Sequence, residues 1–157
     1  MKDMIPAQIA GEGREVRLRY FNGGERTVIA SDLEVPYPEG RLIVSRTDPE
    51  GVITHVNDSF CEISGYHRDE LIGQPHCILR HPDMPAAAFK DLWTTVLAGG
   101  RWHGYVKNLC KDGRFYWVYA TVIPNLRNGK VVGFTSVRRE ASRTKIREAE
   151  ELYRTMG

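Results

Sequence analysis

Short stretches of alternating apolar and charged residues open this chain and predict a β-hairpin. Residues 14–20 alternate in this way, and residues 25–29 form a second such stretch. An Asn-Gly-Gly sequence at residues 22–24 joins the two, and turns of this kind are typical of hairpins. Prolines then mark a linker that ends at residue 38. We expect residues 1–38 to form an extension, with three interpretations open: a hairpin packed on the domain, a dimerisation arm or a loosely held segment.

The pattern then becomes regular and predicts two short strands followed by two short helices. Residues 42–44 and 52–56 are apolar stretches on either side of a turn. Asn57 is a residue type that caps the start of a helix, and Gly65 is a type that ends one. A single helical turn with its own glycine stop follows at residues 68–73.

One longer helix is predicted at residues 86–98. Pro85 suits its first turn, and Asp83 suits the positive end of the helix dipole. Two consecutive glycines end the pattern. The apolar residues recur with the spacing of one helix face, at Phe89, Leu92, Trp93, Val96 and Leu97.

Three further strands and a charged helix complete the predicted order. The strands lie at residues 102–110, 115–123 and 131–138, and Pro124 is expected to end the second of them. The last segment carries a narrow apolar stripe, for which we expect a helix that leaves the domain and pairs with another helix. The stripe consists of Ile146, Ala149, Leu152 and either Tyr153 or Met156.

Helices gathered between two groups of strands are typical of an α+β fold with an antiparallel sheet. We predict one five-stranded antiparallel sheet with short helices and one longer helix packed on one face, leaving a pocket between the two layers. The chain divides into an extension at residues 1–38, a domain at residues 39–140 and a terminal helix at residues 141–157.

Composition narrows the function classes. The 157 residues are 41% hydrophobic and 27% charged, as in a soluble globular protein, and the formal net charge of +2 is too small to favour nucleic acid binding. No apolar run is long enough to span a membrane, and the first ten residues lack a secretory pattern. Three cysteines at unrelated spacings favour a reducing, cytoplasmic location. The sequence has no nucleotide-binding or hydrolase motif, so we expect no enzymatic activity.

Four motifs stand out in the middle of the chain: residues 53–60, the Ser-Gly-Tyr at 64–66, the stretch 70–76 and the Arg-His-Pro-Asp-Met-Pro run at 80–85. Together they closely resemble the PAS domain of bacterial aerotaxis receptors. The resemblance implies a PAS fold over about residues 40–139 that binds FAD non-covalently and reports redox state or oxygen. We further expect a homodimer formed through the PAS surface or terminal helices, and a downstream signalling protein or output domain as partner.

The strand predicted at residues 102–110 places an amide on a buried face. Its period of two puts Trp102, Gly104, Val106 and Asn108 on one side. A buried amide needs hydrogen-bond partners, and a flavin ring edge alternates donors with acceptors. Asn108 therefore pairs either with a neighbouring loop backbone or with the ring, and the resemblance favours the ring. Gly104 marks either a close ligand approach or a bulge.

The segment from His76 to Asp83 is the most polar part of the predicted pocket rim. Arg80 or His81 is a candidate for the pyrophosphate or ribose of FAD, since arginine binds phosphate in a bidentate manner. The alternative is that Arg80 and Asp83 form a surface ion pair and that His81 caps a turn. A metal site is disfavoured, because His76 and His81 lack the usual helical spacing.

The remaining candidates for the cofactor site are three tryptophans and one asparagine. Trp93, Trp102 and Trp117 are planar groups that suit a flavin or adenine, although each also suits an ordinary core. Asn57 is explained by helix capping alone, and the resemblance places it near the flavin.

Three rival interpretations stay open from the sequence. A LOV photosensor carries its reactive cysteine three residues after a glycine, but His76 holds that place after Gly73 and Cys77 follows one residue later. A haem-binding PAS sensor would have to use His76 or His81 as its axial ligand. A PAS dimerisation module without a cofactor would fill the pocket with its own side chains.

Overall fold

The computed structural model describes residues 1–20 and 23–156. The strands are β1 (Gly13–Arg19), β2 (Glu25–Ser31), β3 (Ile43–Thr47), β4 (Ile53–Val56), β5 (Trp102–Leu109), β6 (Phe115–Arg127) and β7 (Lys130–Arg139). The helices are α1 (Asp58–Ser64), α2 (Arg68–Leu71), α3 (Ala86–Leu97) and α4 (Arg143–Arg154), with 3-10 turns at Pro6–Gln8 and His76–Leu79.

The strands form two antiparallel sheets. β1 and β2 pair with each other, and the other five strands form a sheet in the order β4-β3-β7-β6-β5. The predicted α+β class, the five-stranded sheet and the hairpin pairing are therefore confirmed. The predicted turn of the first hairpin includes Asn22, which lies outside the described residues.

Strand β6, which pairs with both β5 and β7, is longer than the sequence pattern indicated. β6 continues through Pro124 to Arg127 and pairs with β7 over this length, with a register shift after Asn125. The partner on its other side, β5, starts opposite Val122. Pro124 therefore lies where β6 has an open edge, and the N–H that proline lacks is not needed there. The prediction that Pro124 ends the strand is wrong for this reason.

The short helices have the ends that the sequence predicted. Asn57 Oδ1 accepts a hydrogen bond from the backbone N–H of Phe60 at 3.1 Å and so caps α1. Gly65 ends that helix in the left-handed region at φ 77°, where a side chain is disfavoured. The apolar face of α3 packs against the sheet, with the exception of Leu97, which is 57% exposed just before the helix ends.

The sheet is covered on both faces. One face packs against α1 and α3 around the main core, in which Phe60, Val96 and Val118 are fully buried. α4 packs on the other face, where Ile146 and Ala149 contact Trp117. The prediction that the terminal helix leaves the domain is therefore wrong. Its apolar stripe has a partner within the chain, namely the aromatic outer face of β5 and β6.

The amino-terminal hairpin is docked rather than loosely held. The backbone N–H of Ser31 donates to the carbonyl of Gly113 at 2.8 Å, which ties β2 to the turn between β5 and β6. Val28 and Ile29 pack with Leu109 in a second core cluster. Within the described residues, no helix combines the length and apolar character needed to cross a bilayer.

Candidate functional site

A cavity lies between the inner face of the sheet and the layer formed by α3 and the 3-10 turn His76–Leu79. Its volume is about 140 Å³, roughly ten times the space that one buried water molecule requires. Most of the wall is apolar or aromatic. The lining residues are Tyr20, Ser45, Thr47, His76, Cys77, Leu79, Arg80, Phe89, Leu92, Trp93, Trp102, Val106, Asn108, Ala120, Val122, Phe134, Ser136 and Arg138.

A cluster of three polar side chains from separate elements faces the cavity. Arg138 Nη2 donates to the imidazole Nε2 of His76 at 2.6 Å and to the hydroxyl of Ser45 at 3.0 Å. The Ser45 hydroxyl also lies 3.2 Å from His76 Nε2. Ser45 on β3 pairs with Ser136 on β7, and Arg138 lies two residues beyond Ser136, so Ser45 and Arg138 face the same side of the sheet. The cluster joins the sheet to the segment that precedes α3.

Arg138 is a buried cation whose charge is not balanced by a carboxylate. It is 3% exposed, and among the described residues no acidic side chain forms an ion pair with it. Its Nη1 is buried without a hydrogen-bond partner. The guanidinium lies 5.2 Å from the ring centroid of Phe60, a cation–π contact. Burial lowers the pKa of Arg138 to about 10, so the group stays charged at neutral pH.

His76 is neutral in this environment. Burial and the positive charge of Arg138 lower its pKa to about 3. A guanidinium can only donate, so the Nε2 atom of His76 must accept and the proton of the neutral ring is assigned to Nδ1. The ring therefore acts as an acceptor that holds the Arg138 side chain in place.

Asn108 lies on the inner face of β5, as its position in the alternation predicted. It is 5% exposed and lines the cavity beside Trp102 and Val106. It also contacts the hydroxyl of Tyr116, whose pKa is raised chiefly by burial while Asn108 acts in the opposite direction. The backbones of Asn108 and Arg80 form an isolated antiparallel bridge, which holds the polar segment against β5. The amide is thus placed where it can contact a bound molecule.

Trp102 explains the glycine two residues further along β5. A Cβ atom at Gly104 would overlap the six-membered ring of the Trp102 indole. Trp102 Nε1 donates to Asp91 Oδ2 on α3 at 2.9 Å, which fixes the ring across the strand. Gly104 therefore makes room for a side chain of the same strand, and neither a bulge nor a ligand is required to explain it. Trp93 faces the same cavity edge-on to Phe134, at 5.4 Å between ring centroids.

Arg80 lies on the cavity wall next to the amino-terminal hairpin. Its guanidinium is 5.0 Å from the ring centroid of Phe89. It donates to the backbone carbonyls of Arg19 and Met84 at 3.4 Å each, and its Nε is buried without a hydrogen-bond partner. Burial lowers its pKa. These long bonds leave much of its hydrogen-bonding capacity unused.

Asn57 and Trp117 lie away from the cavity, contrary to their proposed place in the cofactor site. The amide of Asn57 is bonded to backbone groups of Val44, Phe60 and Leu42, so capping and strand contacts account for it. Trp117 has the opposite parity to Val118 on β6 and therefore lies on the outer face under α4. The strand alternation decides this placement.

His81 and Asp83 also lie outside the cavity wall. His81 is 1% exposed, accepts a hydrogen bond from the Asp83 backbone N–H through Nδ1 at 3.0 Å and packs edge-on to Phe115. Burial lowers its pKa to about 3. Asp83 forms ion pairs with Arg14 and Lys107, and not the pair with Arg80 that the alternative interpretation predicted. Asp83 thus holds β1 and β5 against the segment that precedes α3, and His81 packs this segment on β6.

Comparison with known proteins identifies the family. The sequence profile of the PAS fold matches residues 53–138, more than half of the chain. The chain belongs to the PAS-fold family. Most residues that line the cavity of this PAS chain belong to the matched region, and Tyr20, Ser45 and Thr47 precede it.

Relatives of this PAS chain include bacterial signalling proteins. It is 46% identical over 78% of its length to the aerotaxis receptor of Escherichia coli, of which it spans 24%. It is 34% identical over 57% of its length to the biofilm dispersion protein BdlA of Pseudomonas aeruginosa, of which it spans 22%. The chain thus spans about a quarter of the length of these curated relatives.

Solved structures support the same fold. The light-state structure of the blue-light photoreceptor Aureochrome1 LOV superposes with a TM-score of 0.61 at 20% identity, covering 71% of this chain and 87% of that one. At this identity the likeness concerns the fold alone.

Among the lining residues of the PAS cavity that the sequence did not predict are Arg138, Ser45 and Tyr20. A signal existed for Arg138, because it follows Phe134 and Ser136 at intervals of two and so shares their face of β7. No signal existed for Tyr20, since its place depends on how the hairpin docks. Among the described residues, no group of three or more potential ligands is arranged to hold a metal ion.

Proposed function

We propose that this PAS domain binds FAD in the cavity and acts as a sensor of redox state or oxygen. The observation that carries the proposal is Arg138, a buried cation without an acidic partner among the described residues, in a largely apolar cavity. A charged group in that position is costly unless another molecule supplies the missing partner. A ligand that is flat and apolar with hydrogen-bond acceptors along one edge satisfies both features of the wall.

The polar groups of the cavity match the edge of an isoalloxazine ring. Asn108 offers one donor and one acceptor, and Arg138 Nη1 offers donors that no described residue uses. Trp93, Trp102 and Phe89 supply flat apolar surface around them. FAD supplies electron-transfer chemistry when it is bound. Asn108 would hold and orient the ring edge, while Arg138 would place positive charge beside it.

Arg138 and Asn108 also connect the cavity to the outer face of the sheet. β7 ends at Arg139, one residue after Arg138, and α4 begins at Arg143. The hydroxyl of Tyr153 on α4 donates to the carbonyl of Tyr105 on β5 at 2.6 Å. A change in the hydrogen bonds of Arg138 or Asn108 would therefore shift strands that α4 contacts. A coupling of about 1–3 kcal/mol is typical for such a response.

The sensor is expected to act through partners. A second copy that dimerises through the PAS surface or terminal helices, and a downstream signalling protein or output domain, are the partners we propose. A cytoplasmic location fits these partners. The aerotaxis receptor of Escherichia coli, whose match covers a quarter of its own length, supports a receptor of larger size.

The rival cofactor is haem, with His76 as the histidine on the cavity wall. The Nε2 atom of His76 already accepts a hydrogen bond from Arg138, which disfavours its use as an axial ligand. The cofactor-free interpretation requires a filled pocket, whereas about 140 Å³ lies open between the layers. An absorption spectrum of the purified protein before and after dithionite distinguishes a flavin from a porphyrin.

Asn108→Ala tests the role assigned to the amide. We expect lower FAD occupancy and a smaller redox-dependent structural change, because the substitution removes both hydrogen-bonding groups. Occupancy is measured from the flavin absorbance per protein, and the structural change from protease sensitivity in the oxidised and reduced states. Asn125→Ala, on β6 beyond the cavity, is the matched control. Parent-like occupancy and parent-like structural change together would rule out this role for Asn108.

A further inference from the structure

The amino-terminal hairpin forms part of the cavity wall. Tyr20 follows β1 directly, is 4% exposed and lines the cavity next to Cys77 and Arg80. Its backbone N–H donates to the carbonyl of Gly24 at 2.8 Å, so the hairpin itself fixes its position. Tyr20 precedes the region that matches the PAS profile. This chain therefore adds a wall residue from outside the matched region.

Arg26 on β2 joins the hairpin to the helical layer. It is 4% exposed and donates to the backbone carbonyl of Ile78 at 3.0 Å and to the hydroxyl of Tyr66 at 3.3 Å. Its Nε donates to the carbonyl of Lys2 at 2.7 Å. All of these partners are neutral. The positive charge of Arg26 therefore remains unbalanced although its donors are bonded.

Tyr20, Arg26 and Arg80 form one cationic cluster, which we call the hairpin cluster. The pKa of Tyr20 is raised by burial, and the charges of Arg26 and Arg80 act on its hydroxyl in the opposite direction. In the described chain, neither arginine forms an ion pair. The Tyr20 hydroxyl and Arg80 Nε are both buried without a well-oriented hydrogen-bond partner. Unused donors beside two unbalanced charges are the features of an anion site.

We propose that the hairpin cluster binds the diphosphate of the dinucleotide, so that residues of the extension select a dinucleotide over the bare ring. This inference rests on the proposed flavin function and extends it to the amino-terminal hairpin. Arg80 and the Tyr20 hydroxyl contact the phosphate oxygens directly. Arg26 contributes positive charge and holds the hairpin against the 3-10 turn.

The test compares FAD with riboflavin, which has the same ring and no phosphate. Affinities of the flavin-free full chain for both molecules are measured by quenching of flavin fluorescence at fixed salt. Tyr20→Phe removes one hydroxyl from a side chain of unchanged shape, and Arg80→Gln removes a charge. Arg19→Gln is the matched control, because that side chain is 80% exposed and pairs with Glu25 away from the cavity.

We expect Arg80→Gln to weaken FAD binding about tenfold or more, and Tyr20→Phe by several fold. Riboflavin affinity stays within twofold of the parent in both variants. Arg19→Gln leaves both affinities unchanged. Circular dichroism and thermal melting of each variant establish that the fold is retained.

Two results would overturn the inference alone: equal losses for FAD and riboflavin in the variants, or parent protein that binds the two molecules equally well. In both cases the ring cavity survives and the diphosphate site does not. Absence of binding by either flavin to the parent protein would overturn the proposed function together with this inference. The outcomes are therefore distinguishable.

Discussion

Arg138 is held by strand pairing at a position where its charge faces the cavity without an acidic partner in the described part of the chain. Its strand position is fixed by pairing with β3, and its contacts within the cavity are neutral: His76, Ser45 and the ring of Phe60. Removal of a charged group from water costs several kcal/mol, and neutral partners offset this cost incompletely. The residue is therefore expected to reduce the stability of the flavin-free protein and to favour a ligand with electron-rich atoms.

Arg138→Met tests this interpretation at the residue scale. We expect the free energy of unfolding of the flavin-free protein to be unchanged or raised by about 1–2 kcal/mol, as for other buried charges replaced by apolar groups. The reduction potential of bound FAD should decrease, because the negative charge that reduction adds to the ring is no longer stabilised by the Arg138 cation. For a one-electron couple about 59 mV corresponds to a tenfold change, so we expect a decrease of tens of millivolts. Urea unfolding and spectroelectrochemistry measure the two quantities.

The neighbouring Arg139→Met is the control for this experiment, since Arg139 is exposed on the same strand. It should alter neither the reduction potential nor the unfolding free energy. An unchanged potential in Arg138→Met would contradict the placement of this charge beside the ring.

At the scale of elements, α4 is the helix whose environment the sequence misjudged. Its stripe was predicted correctly at Ile146 and Ala149, which are buried, whereas Leu152 is 57% exposed. Periodicity shows that a helix has an apolar face and is silent about which surface covers it. The covering surface is formed by Trp117 and Tyr105, aromatic residues with outward parity on β6 and β5.

Tyr153→Phe tests how α4 is held on the sheet. The substitution removes the hydrogen bond to the carbonyl of Tyr105 and retains the ring that stacks on Trp117 at 6.4 Å. We expect a local loss of about 1 kcal/mol, seen as faster hydrogen exchange of α4 amides, with exchange in β6 unchanged. Leu152→Ala on the exposed side of α4 is the control. Equal exchange rates in Tyr153→Phe and the parent would mean that the hydrogen bond does not hold the helix.

Local sequence patterns determined most of the elements of the fold. Asn57 and Gly65 mark the ends of α1 because capping depends on neighbouring residues alone. The limits of β6 depended on the length of its partner β5, which the pattern around Pro124 does not contain. Strand order likewise comes from pairings between distant segments.

In the candidate site, too, features that depend on one strand were predictable, whereas features that depend on the pairing of distant segments were not. Trp102 and Asn108 were placed on the inner face by alternation along one strand, and the structure has them there. For Trp117 the sequence left both the site and an ordinary core open, and the register of β6 against β5 decides for the outer face. Ser45, His76 and Arg138 come from three separate elements, so their cluster emerges only when the sheet is assembled.

For the whole molecule, two buried neutral histidines make stability dependent on pH. Burial lowers the pKa of His76 and of His81 to about 3, from an ordinary value of 6.5. Below pH 6.5 these histidines become protonated in the unfolded chain but stay neutral in the folded chain. Proton binding therefore favours unfolding, and the free energy of unfolding decreases as the pH falls from 6.5 toward 3.

We expect the free energy of unfolding to fall by about 2–3 kcal/mol for each pH unit between pH 6 and pH 5. This is the maximum slope when unfolding is accompanied by the uptake of two protons. Urea unfolding at a series of pH values measures this slope. His81→Gln should reduce the slope by about half, and His103→Gln, at an exposed position, should leave it unchanged. A flat profile across this interval would show that neither buried ring resists protonation.

The five-stranded sheet is a single layer that has the cavity on one side and α4 on the other. Tyr116 and Trp117, consecutive in the chain, belong to the two different sides. Thermodynamic linkage makes the coupling across such a layer reciprocal. If a ligand in the cavity changes the affinity of α4 for a partner protein, binding of that partner changes the affinity of the cavity for the ligand by the same factor. A downstream protein bound to α4 would thereby change the ligand affinity of the domain from which it receives the signal.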